Sequence, residues 1–438
     1  MESLYQHFAR ILTAYYQPQT KVVLAFSGGV DSRLLLELLR RYQQEHAISC
    51  HAVYVHHGLS DNADDWADKC RLWAAQAGIS CAIERVSLDI GSGESIELLA
   101  REARYQALEK HIEQGDLLMT GQHADDQLET FLLALKRGSG PKGLSCMAES
   151  MPFSQGTLIR PLLPIRREEI EAITQSLDLE WVEDESNQDT RYDRNFLRHQ
   201  VVPELSRRWP GIHQAVQRSA SLCAQQETLL DELLNDVFQR ALQADLSLDI
   251  AQLASHSELA RARLIRMWLA KQNAQMPTQM RLGLIWKEVA QAQQDANPKL
   301  KLKQGEVRRF QNKLYWVTEM PDLSDWQSTI RLNLPLVLPG SLGDLTLSSA
   351  SKQANIALPP QPELLSVTFN PEGLSAHPET RNHSRKLKKL FQEYRVPSWL
   401  RRQTPILMYQ GQVVAVADLF IDKAFSGQDC ELIWRKHL

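Results

Sequence analysis

A short apolar run, Lys21 to Phe26 (KVVLAF), leads directly into Ser27-Gly28-Gly29-Val30-Asp31-Ser32. A stretch with Leu34, Leu35, Leu38 and Leu39 on one helical face follows. Strand, glycine turn and helix in that order constrain this chain more than any other feature in it. Two adjacent glycines let backbone N–H groups come close to an anion. The helix start adds partial positive charge, and Ser27 and Ser32 offer hydroxyls. Asp31 is the odd member, because a carboxylate repels phosphate unless a cation lies between them. A magnesium ion resolves that conflict. The loop is thus a candidate phosphate cradle, with Asp31 as its candidate metal ligand.

The same alternation continues. Strands are expected at Ile48–Val55, Ile79–Val86 and Asp116–Thr120, and helices at Ala63–Ala77, Glu94–Glu113 and Ala124–Lys136. Gly78, Gly115 and Gly138 supply the helix stops. Strands separated by helices predict an α/β fold, a Rossmann-like doubly wound parallel sheet. Ligands of such sheets sit beyond the carboxyl ends of the strands. The Ser27–Ser32 loop, His56-His57 and Gln122–Asp126 all follow strand ends, which groups them into one site. Beyond about residue 215 the pattern turns helical, at Ala215–Ala244 and Ser257–Gln272. From about 328 it becomes short strands with Pro and Gly turns, interrupted by a helix near Ser384–Tyr394. The reading is three domains: 1–215, 216–327 (helical) and 328–438 (small, α+β).

A second acidic cluster lies in GQHADDQLET, residues 121–130. Asp125 or Asp126 is suited to cap the helix that follows. Asp126 and Glu129 are three apart and share a face, so they suit a cation, either a metal or a substrate ammonium. His123 has three open roles: metal ligand, base, or satisfied polar residue. Gly138 to Gly143 spells G-x-G-x-x-G but follows a helix, so the dinucleotide reading fails its context test. A loop over the site, with Lys142 toward phosphate, fits better. The G-x-x-x-x-G-K-[ST] loop is missing from the sequence. SGGVDS instead resembles the PP-loop of ATP pyrophosphatases. That resemblance implies ATP as substrate, cleavage between the α- and β-phosphates, an adenylated intermediate and released pyrophosphate.

A formal net charge of −4 gives no sign of nucleic-acid binding, but local patches matter more than the average. Arg381 to Arg402 carries eight Lys/Arg against the single acid Glu393. Within it Arg385, Lys386, Lys388 and Lys389 are candidate RNA contacts, while Phe391 and Trp399 read as core. Arg194, Asn195 and Arg198 form another candidate tRNA or phosphate contact. Cys50, Cys70, Cys81, Cys146, Cys223 and Cys430 form no C-x-x-C, which argues for free thiols. No run of about 18 apolar residues exists and the N-terminus lacks a signal pattern, so a cytoplasmic protein without a membrane span is expected.

Together the segments SGGVDS, VHHGLS, REARYQAL, GQHADDQLET, KRGSGPKGL, RPLLPIRREEI and DESNQDTRYDRNFLRHQVVPEL resemble the tRNA(Ile)-lysidine synthases. The resemblance resumes at SRKLKKLFQEYRVPSWLRRQTPIL and spans most of the first 210 residues and much of the last 60. It implies that ATP activates C2 of the wobble cytidine in the CAU anticodon of tRNA(Ile). The amine of L-lysine then displaces AMP to give lysidine. Asp126 and Glu129 match family positions associated with lysine recognition, and Asp31, His123 and Asp126 are the catalytic candidates. Many relatives carry two histidines where this chain has Gln122-His123. The alternatives are a PP-loop tRNA thiolase, which commonly needs catalytic or cluster-binding cysteines, and a non-catalytic tRNA-binding protein.

Overall fold

A computed structural model describes residues 1–88, 96–293 and 296–436. Glu94 and Ser95, where the expected third helix of the alternation begins, lie outside the described residues. The chain forms two compact units, Met1–Leu233 and Leu234–Leu438.

In the first unit the elements run α1 (Glu2–Tyr15), β1 (Lys21–Ala25), α2 (Val30–Glu45), β2 (Ser49–His56), α3 (Ala63–Gln76), β3 (Ser80–Arg85), α4 (Ile96–Glu109), β4 (Leu117–Met119) and α5 (Ala124–Lys136). Then come α6 (Pro141–Leu144), β5 (Ser150–Phe153), β6 (Gly156–Ile159), α7 (Arg167–Ser176), α8 (Asp193–Phe196), α9 (Val202–Arg208) and α10 (Ile212–Ala241), which continues into the second unit. The sheet order is β3-β2-β1-β4-β6-β5. All neighbours are parallel except the β5–β6 hairpin. Along β1, Val22 and Leu24 enter the larger core with α1, α2 and α3, while Val23 enters a second core with Val53, Leu108 and Leu118. Alternate side chains therefore bury both faces, which is why KVVLA reads as an uninterrupted apolar run.

Strand order reverses between β1 and β4, and the crevice beyond their carboxyl ends is the expected ligand position. Ser27–Ser32 follows β1 and Gly121–Asp126 follows β4, so the topology alone sets the two motifs side by side.

In the second unit β7 (Leu248–Asp249), α11 (Ile250–Ala254), α12 (Glu258–Lys271), α13 (Gln279–Leu284), β8 (Lys299–Lys301), β9 (Glu306–Phe310) and β10 (Lys313–Val317) come first. The helices expected here are present, and they pack on a four-stranded antiparallel sheet, β7-β10-β9-β8, around Trp268. The remainder holds β11 (Gln327–Thr329), β12 (Leu336–Val337), β13 (Asp344–Ser348), β14 (Leu365–Thr368), β15 (Ser375–Ala376), β16 (Arg385–Lys386), α14 (Leu387–Glu393), β17 (Ile406–Tyr409), β18 (Gln412–Val416), β19 (Phe420–Ile421) and β20 (Glu431–Arg435). The five-stranded sheet β11-β14-β17-β18-β19 has two buried faces. Leu407 and Val414 join Leu345 and Leu347 of the three-stranded sheet, whereas Ile406 and Met408 meet Leu387, Leu390 and Phe391 of α14. The C-terminal region is α+β, as its sequence implies.

Candidate active site

The glycine loop is built around a position that only glycine fills without strain. Gly28 has φ +80°, and a Cβ there would lie 2.8 Å from Cys70 Sγ and 2.9 Å from Val182 Cγ2. Its carbonyl accepts from Val182 N at 3.0 Å. Gly29 then caps α2 in an extended conformation with no side-chain hydrogen bond. The first-turn amides of α2 therefore meet no capping side chain, as a phosphate cradle requires. Ser32 Oγ donates to the Gly29 carbonyl at 3.0 Å and lies 3.2 Å from Ser27 Oγ. Val30 and Asp31 open α2, with the Val30 side chain in the core.

Asp31 is mostly enclosed. Its Oδ1 is buried without a hydrogen-bond partner. The nearest cations are His123 Nε2, 3.6 Å from Oδ1, and Arg167 Nη1, 3.4 Å from Oδ2. Burial raises the Asp31 pKa above the usual carboxylate value, against the pull of His123 and Arg167. Gly121 permits this proximity, because a Cβ on it would stand 3.1 Å from Asp31 Cβ and 3.3 Å from Ser32 N.

His123 is the bridge between the motifs. It caps α5, with Nδ1 accepting from Asp125 N at 3.3 Å while Asp126 Oδ2 accepts from His123 N at 3.1 Å. Its Nε2 is 3.5 Å from Asp126 Oδ2. Burial alone would lower its pKa, but Asp126, Asp125 and Asp31 together raise it to about 9. Three carboxylates thus surround the imidazole and favour its protonated form.

Asp126 and Glu129 do share a face, as their spacing requires, and both already hold arginines. Glu129 is fully buried; Arg194 Nε donates to it at 2.9 Å and Arg198 Nε at 2.8 Å. Arg198 Nη2 also reaches Asp126 Oδ1 at 3.1 Å. Arg198 lies in a π-helical turn, Leu197–Val201, just ahead of Pro203. Proline has no N–H for the regular ladder, and such turns gather at functional positions. Asn195 gives its amide to the carbonyls of Ser186 and Asp189, both at 3.0 Å, and so fixes that loop. Beside Arg194 opens a cleft of about 270 Å³ lined by Glu97, Leu133, Lys136, Arg137 and Asp193.

Other sequence candidates fall elsewhere. His56 ends β2 and lies 3.3 Å from Asp64 Oδ1, while both ring nitrogens of His57 are buried without partners. Gln122 accepts from Thr120 Oγ1 and Arg160 Nε at 2.5 and 3.2 Å. Lys142 is exposed on α6. In the second unit Arg385 and Arg381 both pair with Glu393. Lys386, Lys388 and Lys389 are exposed, and among the described residues no ion pair engages them. Phe391 is buried, and Trp399 is half-buried against Phe310 and Tyr315.

Sequence reasoning did not single out Arg167 or His213. Arg167 stands in the quoted segment RPLLPIRREEI, so its motif was visible although its role was not. His213 gave no signal, because nothing in the sequence brings residue 213 to residue 125.

Residues 2–205 match the model of a PP-loop domain, 248–315 that of a TilS substrate binding domain, and 365–438 that of a TilS substrate C-terminal domain. A tRNA(Ile)-lysidine synthase of Vibrio parahaemolyticus is 77% identical over 438 residues, covering 100% of both chains. Those of Vibrio campbellii and Vibrio vulnificus are 75% and 62% identical, again over 100% of both chains. No helix among the described residues is long and apolar enough to cross a membrane.

Proposed function

The chain belongs to the family of tRNA(Ile)-lysidine synthases, and on that premise we propose how its residues divide the work of joining L-lysine to C2 of the wobble cytidine in the CAU anticodon. It is an ATP-using tRNA-modifying ligase. In our reading residues 1–215 form the adenylating domain, while 216–327 and 328–438 hold the tRNA.

One observation carries the reading. His123 stands 3.6 Å from Asp31 of the loop and 3.5 Å from Asp126 of the acidic pair. A nucleotide in the cradle and an amine at the acids would therefore share one cleft. Loop amides at Ser27–Ser32 and the start of α2 bind the phosphates. Asp126 and Glu129 attract the lysine ammonium. His123 Nε2 faces both Asp31 and Asp126 and ties the nucleotide loop to the acidic pair.

Magnesium fits Asp31. Its buried Oδ1 lacks a partner, and among the described residues no group of three or more His, Cys, Asp or Glu could hold a metal ion. An ion there would be held by Asp31 together with substrate phosphates, and would supply neutralising charge between them.

The thiolase alternative is disfavoured by the cysteine spacing, because none of the six forms a C-x-x-C pair. Burial pushes Cys50 up to about 12 and Cys146 to about 11, and raises Cys70 and Cys81 as well. Such thiols are poor nucleophiles at neutral pH.

The test combines the protein, ATP, magnesium, labelled lysine and a CAU-anticodon tRNA(Ile). Lysine transfer with AMP and pyrophosphate release is expected, and Asp31→Asn should abolish AMP formation. ADP and orthophosphate as products, or equal labelling of a CAU elongator methionine tRNA, would overturn the proposal.

A further inference from the structure

Three helix starts converge on one carboxylate. Asp125, in the first turn of α5, accepts from Arg167 N at 2.8 Å through Oδ2 and lies 3.0 Å from His213 Nε2 through Oδ1. Arg167 opens α7 and His213 belongs to the first turn of α10. Asp125 thus fixes where α7 begins and, with it, the side chain that begins there.

That side chain faces the nucleotide loop. Arg167 Nε donates to Glu171 Oε1 at 2.8 Å, which anchors one edge of the guanidinium. Nη1 reaches to 3.4 Å from Asp31 Oδ2, and the side chain remains 35% exposed. A planar cation held through Nε, in contact with Asp31 through Nη1 and partly exposed suits a phosphate group. Its place beside Asp31 is where the loop's own carboxylate would otherwise repel the anion.

We propose that Arg167 contacts the triphosphate or departing pyrophosphate in the adenylation site, and that Asp125 and His213 are positioning residues that hold it there. The inference rests on the adenylation reading above. Supporting it, His213 is buried and its Nδ1 has no partner. An unpartnered polar atom costs stability, so packing alone does not account for a histidine at this position. Its hydrogen bond to Asp125 does. The Asp125 carboxyl is also held well below the usual range. Burial would raise it, but the neighbouring His123 and the hydrogen bonds from His213 and the Arg167 amide prevail.

The test uses the full-length enzyme with ATP, lysine and tRNA(Ile), measuring AMP formation as each substrate is varied. Arg167→Ala should lower kcat/KM for ATP by about 10- to 100-fold and leave KM for lysine within about twofold. His213→Ala should lower kcat/KM for ATP about tenfold, and His213→Gln, which keeps a donor, should recover most of it. The double variant Arg167→Ala/His213→Ala should be no worse than Arg167→Ala alone. Multiplying effects in the double variant would show that His213 does not act through Arg167. An ATP response within twofold of wild type in Arg167→Ala would refute the phosphate contact. If His213→Ala does not fold, Arg167→Ala and His213→Gln still decide the matter. Wild-type enzyme yielding AMP separates such a failure from failure of the adenylation reading, which ADP formation would signal.

Discussion

Arg198 lies along the carboxylate of Glu129, donating from Nε at 2.8 Å and from Nη2 at 3.0 Å. A fully buried acid is thereby neutralised from within the protein, and Arg194 adds a second guanidinium. An incoming ammonium must compete with these arginines. Removing one partner of such a pair leaves uncompensated charge, at a cost of several kcal/mol. Glu129→Gln should therefore lose about 3 kcal/mol in urea unfolding and raise KM for lysine more than KM for ATP. A fall in stability without any lysine effect would make Glu129 a structural counter-ion only.

Gly28 combines a left-handed backbone with two close neighbours, Cys70 Sγ and Val182 Cγ2. Left-handed geometry alone costs an alanine about 1–2 kcal/mol, and the contacts add to it. Gly28→Ala should lower the melting temperature and weaken ATP binding. Adding Val182→Ala should recover part of the stability, by relieving the contact but not the torsion. A double variant no more stable than Gly28→Ala would assign the whole cost to the backbone.

The parallel sheet was legible because each strand of its first half follows a helix and ends at a glycine or polar turn. The β5–β6 hairpin was not. Its two-residue turn, Ser154-Gln155, has neither Asn-Gly nor Asp-Gly, and Ser154 takes φ +50° without a glycine to announce it. In the second unit Lys299-Leu300-Lys301-Leu302 alternates with period two, a strand signal. Reading residues 216–327 as helical passed over β8. Within the site, local spacing placed Asp126 beside Glu129 and the loop beside α2. Long-range partners such as Arg198 on Glu129, 69 residues apart, depend on tertiary packing that no local pattern encodes.

His57 gives the acid side of the stability profile a definite sign. Burial first, then Arg104 and His56, lower its pKa from 6.5 to about 4. The folded protein thus resists protonation that the unfolded chain accepts. His57 imposes no penalty above pH 6.5, and stability falls as pH drops from there toward about 4. His57→Asn should flatten the melting temperature across that window relative to wild type. An unchanged slope would mean that other groups govern acid unfolding.

The charges on α14 and in the segment just before it separate into two kinds. Arg381 and Arg385 share Glu393, which neutralises one of their two charges. Lys388 and Lys389 project into solvent while Leu387, Leu390 and Phe391 fill the core beneath. The second kind is engaged in no ion pair among the described residues and can release counter-ions from RNA. Phosphate contacts make log affinity fall linearly with log salt, by about 0.7–0.9 per contact. Lys388→Ala with Lys389→Ala should weaken tRNA binding at low salt and reduce that slope by about one per lysine. Because neither side chain enters the core, melting temperature should hold. Adenylate formation at saturating tRNA should also stay near wild type, since these lysines lie outside the loop and acidic pair. A slope unchanged by both substitutions would remove α14 from the RNA-binding surface.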